Sequence, residues 1–198
     1  MAQITVMEKP DWISYDEIAD VLHDAHKENL SRGLDYSAAI QSGEEIEALL
    51  HDNGRFYVAL ADGKKVVGVS AIRLREKSFR WFGQKKPYGK VMLEGVRPEY
   101  QGLGINSMLR KEIYDYAYQY VDFLELDTAE KNTKAIAINK KHGWIPVDYI
   151  TRKTNHFYSV VMARWKDGCP YSAMDCRLHF LKNKMIIRRK YKSDGQPR

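Results

Sequence analysis

Two glycines set two residues apart, Gly102 and Gly104, stand where an apolar run gives way to a helical pattern. The surrounding stretch is Val96-Arg97-Pro98-Glu99-Tyr100-Gln101-Gly102-Leu103-Gly104-Ile105-Asn106. Small residues let a backbone come close to a ligand, and the first amides of a helix have no partner inside it. The helix dipole also favours negative charge at that end. The chemistry such a turn performs is the holding of a phosphate group, so the chain is expected to bind a phosphorylated cofactor. Alone, a two-glycine turn is more often an ordinary start of a helix, and its neighbours must decide.

Three phosphate-binding patterns compete. The nucleoside-triphosphate loop ends in Gly-Lys-Ser/Thr, which this stretch lacks. The dinucleotide fingerprint needs a third glycine and an acidic residue after the next strand. The remaining pattern, Val-x-Pro-x-x-Gln-x-x-Gly-x-small, is met by Val96, Pro98, Gln101, Gly104 and Asn106. It resembles the acyl-CoA pyrophosphate loop of the GNAT acyltransferase superfamily, whose members usually have Gly or Ala at the position of Asn106. Further on, Asn132-Thr133-Lys134-Ala135 through His142-Gly143-Trp144 is similar to the second motif of that superfamily. There Asn opens a helix, for which it is a good cap, and Gly stops it. Two motifs in the right order, separated by the alternating strand-like run 121–127, carry far more weight than either alone.

The resemblance implies an α/β (mixed α+β) fold, a mixed central sheet with helices on both faces, splayed between strands 90–97 and 121–127 where cofactor enters. It implies acetyl-CoA as acyl donor, with CoA as product. Backbone amides of Gln101, Gly102, Leu103, Gly104, Ile105 and Asn106 would hold the pyrophosphate. Glu94, Gly95 and Val96 occupy the strand whose backbone pairs with the pantetheine arm in family members, and Asn132 would contact that arm from the other side. Acyl transfer to an amine also requires alignment, a neutral amine and stabilisation of the charge developing on the thioester oxygen. Strand alternation places Met92, Glu94 and Val96 on one face and Val91, Leu93 and Gly95 on the other. Glu94, the one ionisable side chain in the interior of this strand, lies on the face where the superfamily often carries its catalytic carboxylate, so the resemblance implies it as candidate general base, the competing role being to bind a cation or cap a bulge. Family members commonly carry a Tyr seven residues after the motif Asn, and this chain has Asn139 there. An amide is no general acid, though it can hydrogen-bond sulfur or pantetheine. Tyr149, His142 or solvent would supply the proton, or turnover is weakened.

The elements that must position these residues follow from periodicity and turn signals. Ile4–Met7 reads as a first strand. Ser14 with Glu17, and Ser42 with Glu45, read as capping boxes opening two helices, the second stopped by Asn53-Gly54. Strands are expected at 56–60 and 66–74 around Asp62-Gly63, then at 90–97, 121–127, 145–152 and 156–164, with helices at 105–119 and 132–142. A globular body is expected over residues 1–165 and a basic, partly helical extension over 166–198.

Composition agrees with a globular chain: 198 residues, 44% hydrophobic and 12% aromatic. No apolar run reaches membrane-spanning length, and MAQITVMEKPDW lacks the apolar core of a secretion signal. Cys169 and Cys176 are the two cysteines, expected as free thiols in a reducing cytoplasm, with no metal site. Residues 171–198 hold eight basic and two acidic residues, so the tail accounts for the whole net charge of +6. Met174, Leu178, Leu181 and Met185 follow helical spacing, the pattern of an amphipathic segment docked on the body. The basic end beyond them is a candidate contact for anionic lipid or nucleic acid.

A small-molecule amine or amino sugar is the expected acceptor, with His26, Glu28, Arg32, Asp35 and Tyr36 as candidate contacts. The amino-sugar suggestion rests on a Cys-Pro-Tyr-Ser tail resembling that of GNAT-like proteins of surface-polysaccharide synthesis. The 76–89 loop, rich in aromatics and cations, either stacks a sugar or base or packs under the tail or against a second subunit of a homodimer. Two further readings stay open: a catalytically weakened acyl-CoA-binding module, and a protein- or nucleic-acid-associated acetyltransferase.

Overall fold

The computed structural model describes residues 2–50, 53–76, 86–151 and 157–193, with the backbone alone for 190–193. Most of the 76–89 loop, including Phe79, Trp81 and Phe82, lies outside the described residues. The chain forms two compact units, residues 1–75 with 89–121, and 76–88 with 122–198.

The first unit contains β1 (Ile4–Glu8), α1 (Tyr15–Ser31), α2 (Gly43–Leu50), β2 (Gly54–Ala61), β3 (Lys65–Arg75), β4 (Tyr88–Val96) and α3 (Ile105–Ala117). Its strands lie in the order β1-β2-β3-β4, with β1–β2 and β2–β3 antiparallel. The local signals do what their chemistry requires. Ser14 Oγ accepts from the Glu17 amide, and Ser42 and Glu45 exchange bonds of 2.9 and 3.2 Å in a complete capping box. Asp62 and Gly63 both adopt left-handed backbone (φ 50° and 68°), the requirement of the tight turn joining β2 to β3.

Helices cover both faces of these strands. Ile18, Val21, Leu22, Ile46 and Leu50 from α1 and α2 form one core with Val58, Leu60, Val69, Ala71 and Leu93. Gly68 points the other way, toward α3, where an added Cβ would lie 2.8 Å from Ile105 Cγ2. Glycine here lets the start of α3 sit directly on β3.

One expectation about β4 fails. Leu93 has φ 54°, and both Met92 and Leu93 pack against the α1/α2 core. A left-handed residue inside a strand interrupts the two-residue alternation, so Met92 does not share the side of Glu94 as simple periodicity predicts.

The second unit contains β5 (Phe123–Ala129), α4 (Thr133–Lys141), β6 (Ile145–Thr151), β7 (Tyr158–Trp165) and α5 (Ala173–Ser193). Strands run in the order β5-β7-β6, both pairs antiparallel. Phe123, Val147, Val161 and Ala163 form its core with Trp165 and Tyr171 packed against them. The extension expected beyond residue 165 is mostly α5, which lies on β6.

α5 docks through a face other than the one its apolar spacing predicts. Cys176 is buried, the Phe180 ring meets Tyr149 edge-on, and Asn183 Nδ2 donates to Asp148 Oδ1 at 2.8 Å. Lys184 and Arg188 both pair with Glu130. These contacts fix the rotation of the helix and turn Met174, Leu178, Leu181 and Met185 outward, each between 44% and 66% exposed. Polar anchors decided the face, and hydrophobic periodicity carries no information about them. Cys169 and Cys176 are free thiols with sulfurs 3.5 Å apart; burial, with the neighbouring thiol, pushes the Cys176 pKa up to about 12. Among the described residues no helix is long and apolar enough to cross a membrane.

Candidate functional site

β4 delivers the chain to a short turn, Pro98–Tyr100, and then to the start of α3. Proline at the first position suits this turn, and the Tyr100 and Gln101 amides close back on Arg97 and Pro98 carbonyls. Gln101 Nε2 donates to the Val96 carbonyl at 3.1 Å, tying the loop to the end of β4. Gly102 and Gly104 have φ of 83° and 77°, a region other residues enter only at a cost. Gly104 is the residue that caps α3, and having no side chain it leaves the helix's first amides uncovered. Among the described residues, the amides of Gly102, Leu103, Gly104, Ile105 and Asn106 donate to no backbone carbonyl. Gln101 through Gly104 are exposed, Asn106 is half-buried and Ile105 is buried.

The charges beside the loop are already committed. Lys65 pairs with Glu99 at 3.2 Å, and Arg97 binds Asp24 and donates to the Val66 carbonyl. No acidic side chain lies within residues 101–106. The loop therefore fits a diphosphate: clustered amides with no backbone acceptor, a helix dipole behind them, and no acidic side chain among them.

Upstream, Glu94 lies in a polar pocket within the first unit. Arg110, on the buried side of α3, donates from Nε and Nη2 to the two carboxylate oxygens at 2.7 and 2.8 Å. Ser70 Oγ on β3 approaches Oε1 at 3.5 Å. Burial would lower the Arg110 pKa, but the charge and bonds of Glu94 outweigh it and raise the value. The Glu94 carbonyl is held too. His26 Nε2 lies 3.0 Å from it, while Asn29 Nδ2 lies 3.1 Å from His26 Nδ1. Amide donation to Nδ1 leaves Nε2 as the protonated, donating nitrogen. Burial depresses the His26 pKa, the opposing effects of Glu94 being smaller, which suits this neutral tautomer. Tyr36 sits beside the ring at 5.4 Å between centroids, so two of the acceptor-side candidates meet here. Gly95 permits the close approach of α1: a Cβ there would lie 2.9 Å from Ala25 Cβ.

The second motif folds as its residues dictate. Asn132 Oδ1 accepts from the Ala135 amide at 3.1 Å, capping α4. Gly143, at φ 80°, ends it, and Trp144 is buried. Asn139 is 4% exposed, and its carbonyl receives the His142 and Trp144 amides. His142 belongs to the C-terminal cap of α4. Tyr149 is fully buried, and its hydroxyl donates to Glu130. Burial and Glu130 raise its pKa strongly, so it serves the α5 anchor and is a poor source of a proton.

Sequence reasoning missed Arg110 and Ser70. A signal for Arg110 existed: it precedes Ile113 by three residues and Ala117 by seven, and so falls on the apolar face of α3. A cation there needs a buried anion.

Comparison with known proteins bears on the family and the fold. The profile of the Acetyltransferase (GNAT) family matches residues 15–144, more than half of the chain. No curated protein sequence matches. Among solved structures, the ribosomal-protein-S18-alanine N-acetyltransferase of Escherichia coli superposes with a TM-score of 0.63 at 14% identity, over 82% of this chain and 94% of that one. NAA60 of Arabidopsis thaliana, in complex with acetyl-CoA, gives 0.60 at 14% identity over 84% and 100%. An acetyltransferase of Streptococcus agalactiae gives 0.60 at 19% over 82% and 98%. With its mixed α/β fold and its matched profile, the chain belongs to the GNAT acetyltransferase family.

Proposed function

We propose that the protein is an acetyl-CoA-dependent N-acetyltransferase acting on the primary amine of a small molecule or amino sugar. The observation that carries the cofactor assignment is the run of amides from Gly102 to Asn106, at the start of α3, that donate to no backbone carbonyl. When bound, acetyl-CoA supplies an activated acyl thioester. Gln101 keeps the loop on β4, Gly102 and Gly104 give it shape, and the amides through Ile105 and Asn106 receive the diphosphate. Gly95 and Val96 offer backbone to the pantetheine arm.

Glu94 is the candidate acceptor of the amine proton. Its carboxylate has lone pairs left after Arg110 and Ser70 are served, and its side chain is 20% exposed. Protonating it fully would leave the buried guanidinium of Arg110 without its charge partner. A relay through water to solvent, with Glu94 as hydrogen-bond acceptor, fits this pairing best. The Asn139 position supplies no acid, so the leaving thiolate takes its proton from solvent.

Calorimetric titration with acetyl-CoA, CoA, NADH and ATP tests the cofactor, with binding expected for the first two alone. A thiol-release assay across amines tests turnover. With Glu94 as proton acceptor, Glu94→Gln lowers kcat by about two to four orders of magnitude; unchanged turnover removes it from the mechanism. The Escherichia coli neighbour is named for an alanine of a ribosomal protein, so peptides with free N-termini belong in the same panel. Asn139 and the Glu94–Arg110 pair favour one second reading, an acyl-CoA-binding module with weakened turnover. Cofactor binding without thiol release across the panel would select it.

A further inference from the structure

None of the residues proposed above for cofactor binding or proton transfer lies on α5. Met174, Leu178, Leu181 and Met185 fall within about 60° of arc at 3.6 residues per turn, and their row runs about 17 Å along the axis. All four are exposed, on the side opposite the contacts with Tyr149 and Asp148. Arg177 flanks the row on one side, Lys182 and Arg189 on the other. The one acid in this part of the helix, Asp175, is turned to the N-terminal cap, where it accepts from Ser172 Oγ at 2.7 Å.

We propose that this face is a docking surface for an anionic lipid membrane, on which α5 lies with its apolar row in the headgroup–acyl boundary. An apolar strip bordered on both sides by long cations matches such a boundary: methionine and leucine enter, while arginine and lysine reach out to phosphates. Charge argues against a second copy of the chain. The 4-3-4 spacing could form a short helical seam, but it would set Arg177, Lys182 and Arg189 against their like, over fewer heptads than a coiled coil needs. Nucleic acid would use the cations and leave four large apolar side chains in water. The tail also holds the whole net charge of the chain, so attraction to an anionic surface acts on this end of the molecule.

The test is co-sedimentation of the full chain with vesicles of phosphatidylcholine alone or with about a third phosphatidylglycerol. Salt-sensitive partition onto the anionic vesicles is expected, and much less onto the neutral ones. Leu178→Gln with Met185→Gln should cut that partition at least about tenfold, because most of the apolar row is lost. Both sites are exposed, so the thermal melt should not change. Arg177→Gln, Lys182→Gln and Arg189→Gln should each weaken anionic binding by roughly fivefold. The proposal is overturned by failure to partition at low salt, or by partition indifferent to the Leu178/Met185 change. A dimer in sedimentation equilibrium that the same double variant dissolves, without vesicle binding, assigns the face to a second copy instead. None of these readouts depends on acetyl transfer.

Discussion

The helices α3 and α4 begin in opposite ways. α4 is capped by Asn132, whose side chain takes the Ala135 amide; α3 is capped by Gly104, which has no side chain to give. α1 and α2 follow the α4 solution, with Ser14 and Ser42 as their acceptors. A helix whose amides are satisfied internally is built for stability. One whose amides are left to solvent on two left-handed glycines forgoes that stabilisation and keeps its donors for an anion. The difference between α3 and the other three helices, more than the presence of glycine as such, supports the proposed cofactor loop.

The largest expected effect concerns what holds α3 in place. Arg110→Met leaves Glu94 without its partner and should cost about 3–5 kcal/mol in chemical denaturation. Adding Glu94→Met should recover much of that loss, since neither charge is then orphaned. If the double variant is no more stable than the single one, the pair is not the tie described here.

Gly104→Asp would make α3 begin as α4 does. Its carboxylate would claim the free amides and repel phosphate, so acetyl-CoA affinity should fall about tenfold to a hundredfold in calorimetry. Stability should move by less than about 1 kcal/mol, because the new cap offsets the left-handed backbone. The converse change, Asn132→Ala, uncaps α4 and should cost about 1 kcal/mol of stability, with a smaller loss of affinity than Gly104→Asp. Equal losses of affinity in the two variants would erase the contrast between the helix starts.

The smallest effect is one of pH. His26 is neutral when folded, and its pKa lies below the unfolded value. Its contribution to stability is complete above about pH 6.5 and is lost as pH falls toward the folded value. The stability gap between the parent and His26→Gln should therefore narrow from pH 7 to 5. A constant gap would mean that the imidazole does not titrate with folding.

Much of this was legible in the chain. The capping boxes, the Asp62-Gly63 turn, the two-glycine loop and the Asn132–Gly143 helix are local: each depends on residues within four or five positions and backbone rules that operate without a core. Their boundaries agree with the structure to within a few residues. The failures are nonlocal. Strand alternation could not foresee φ 54° at Leu93, because that conformation depends on how β4 meets the α1/α2 core. Helical periodicity could not foresee which side of α5 docks, because Asp148, Glu130 and Tyr149 select it from 30 or more residues away.

Sequence alone determined where the two-glycine turn leaves the first amides of α3 uncapped and which helices are capped, since glycine, proline, serine and asparagine act on their own backbone. Tertiary structure alone decided that Glu94 is bound to Arg110, that His26 holds the carbonyl beside it, and that an apolar row faces outward on α5. Those outcomes depend on which charges and rings meet in three dimensions, and on desolvation that only burial can impose.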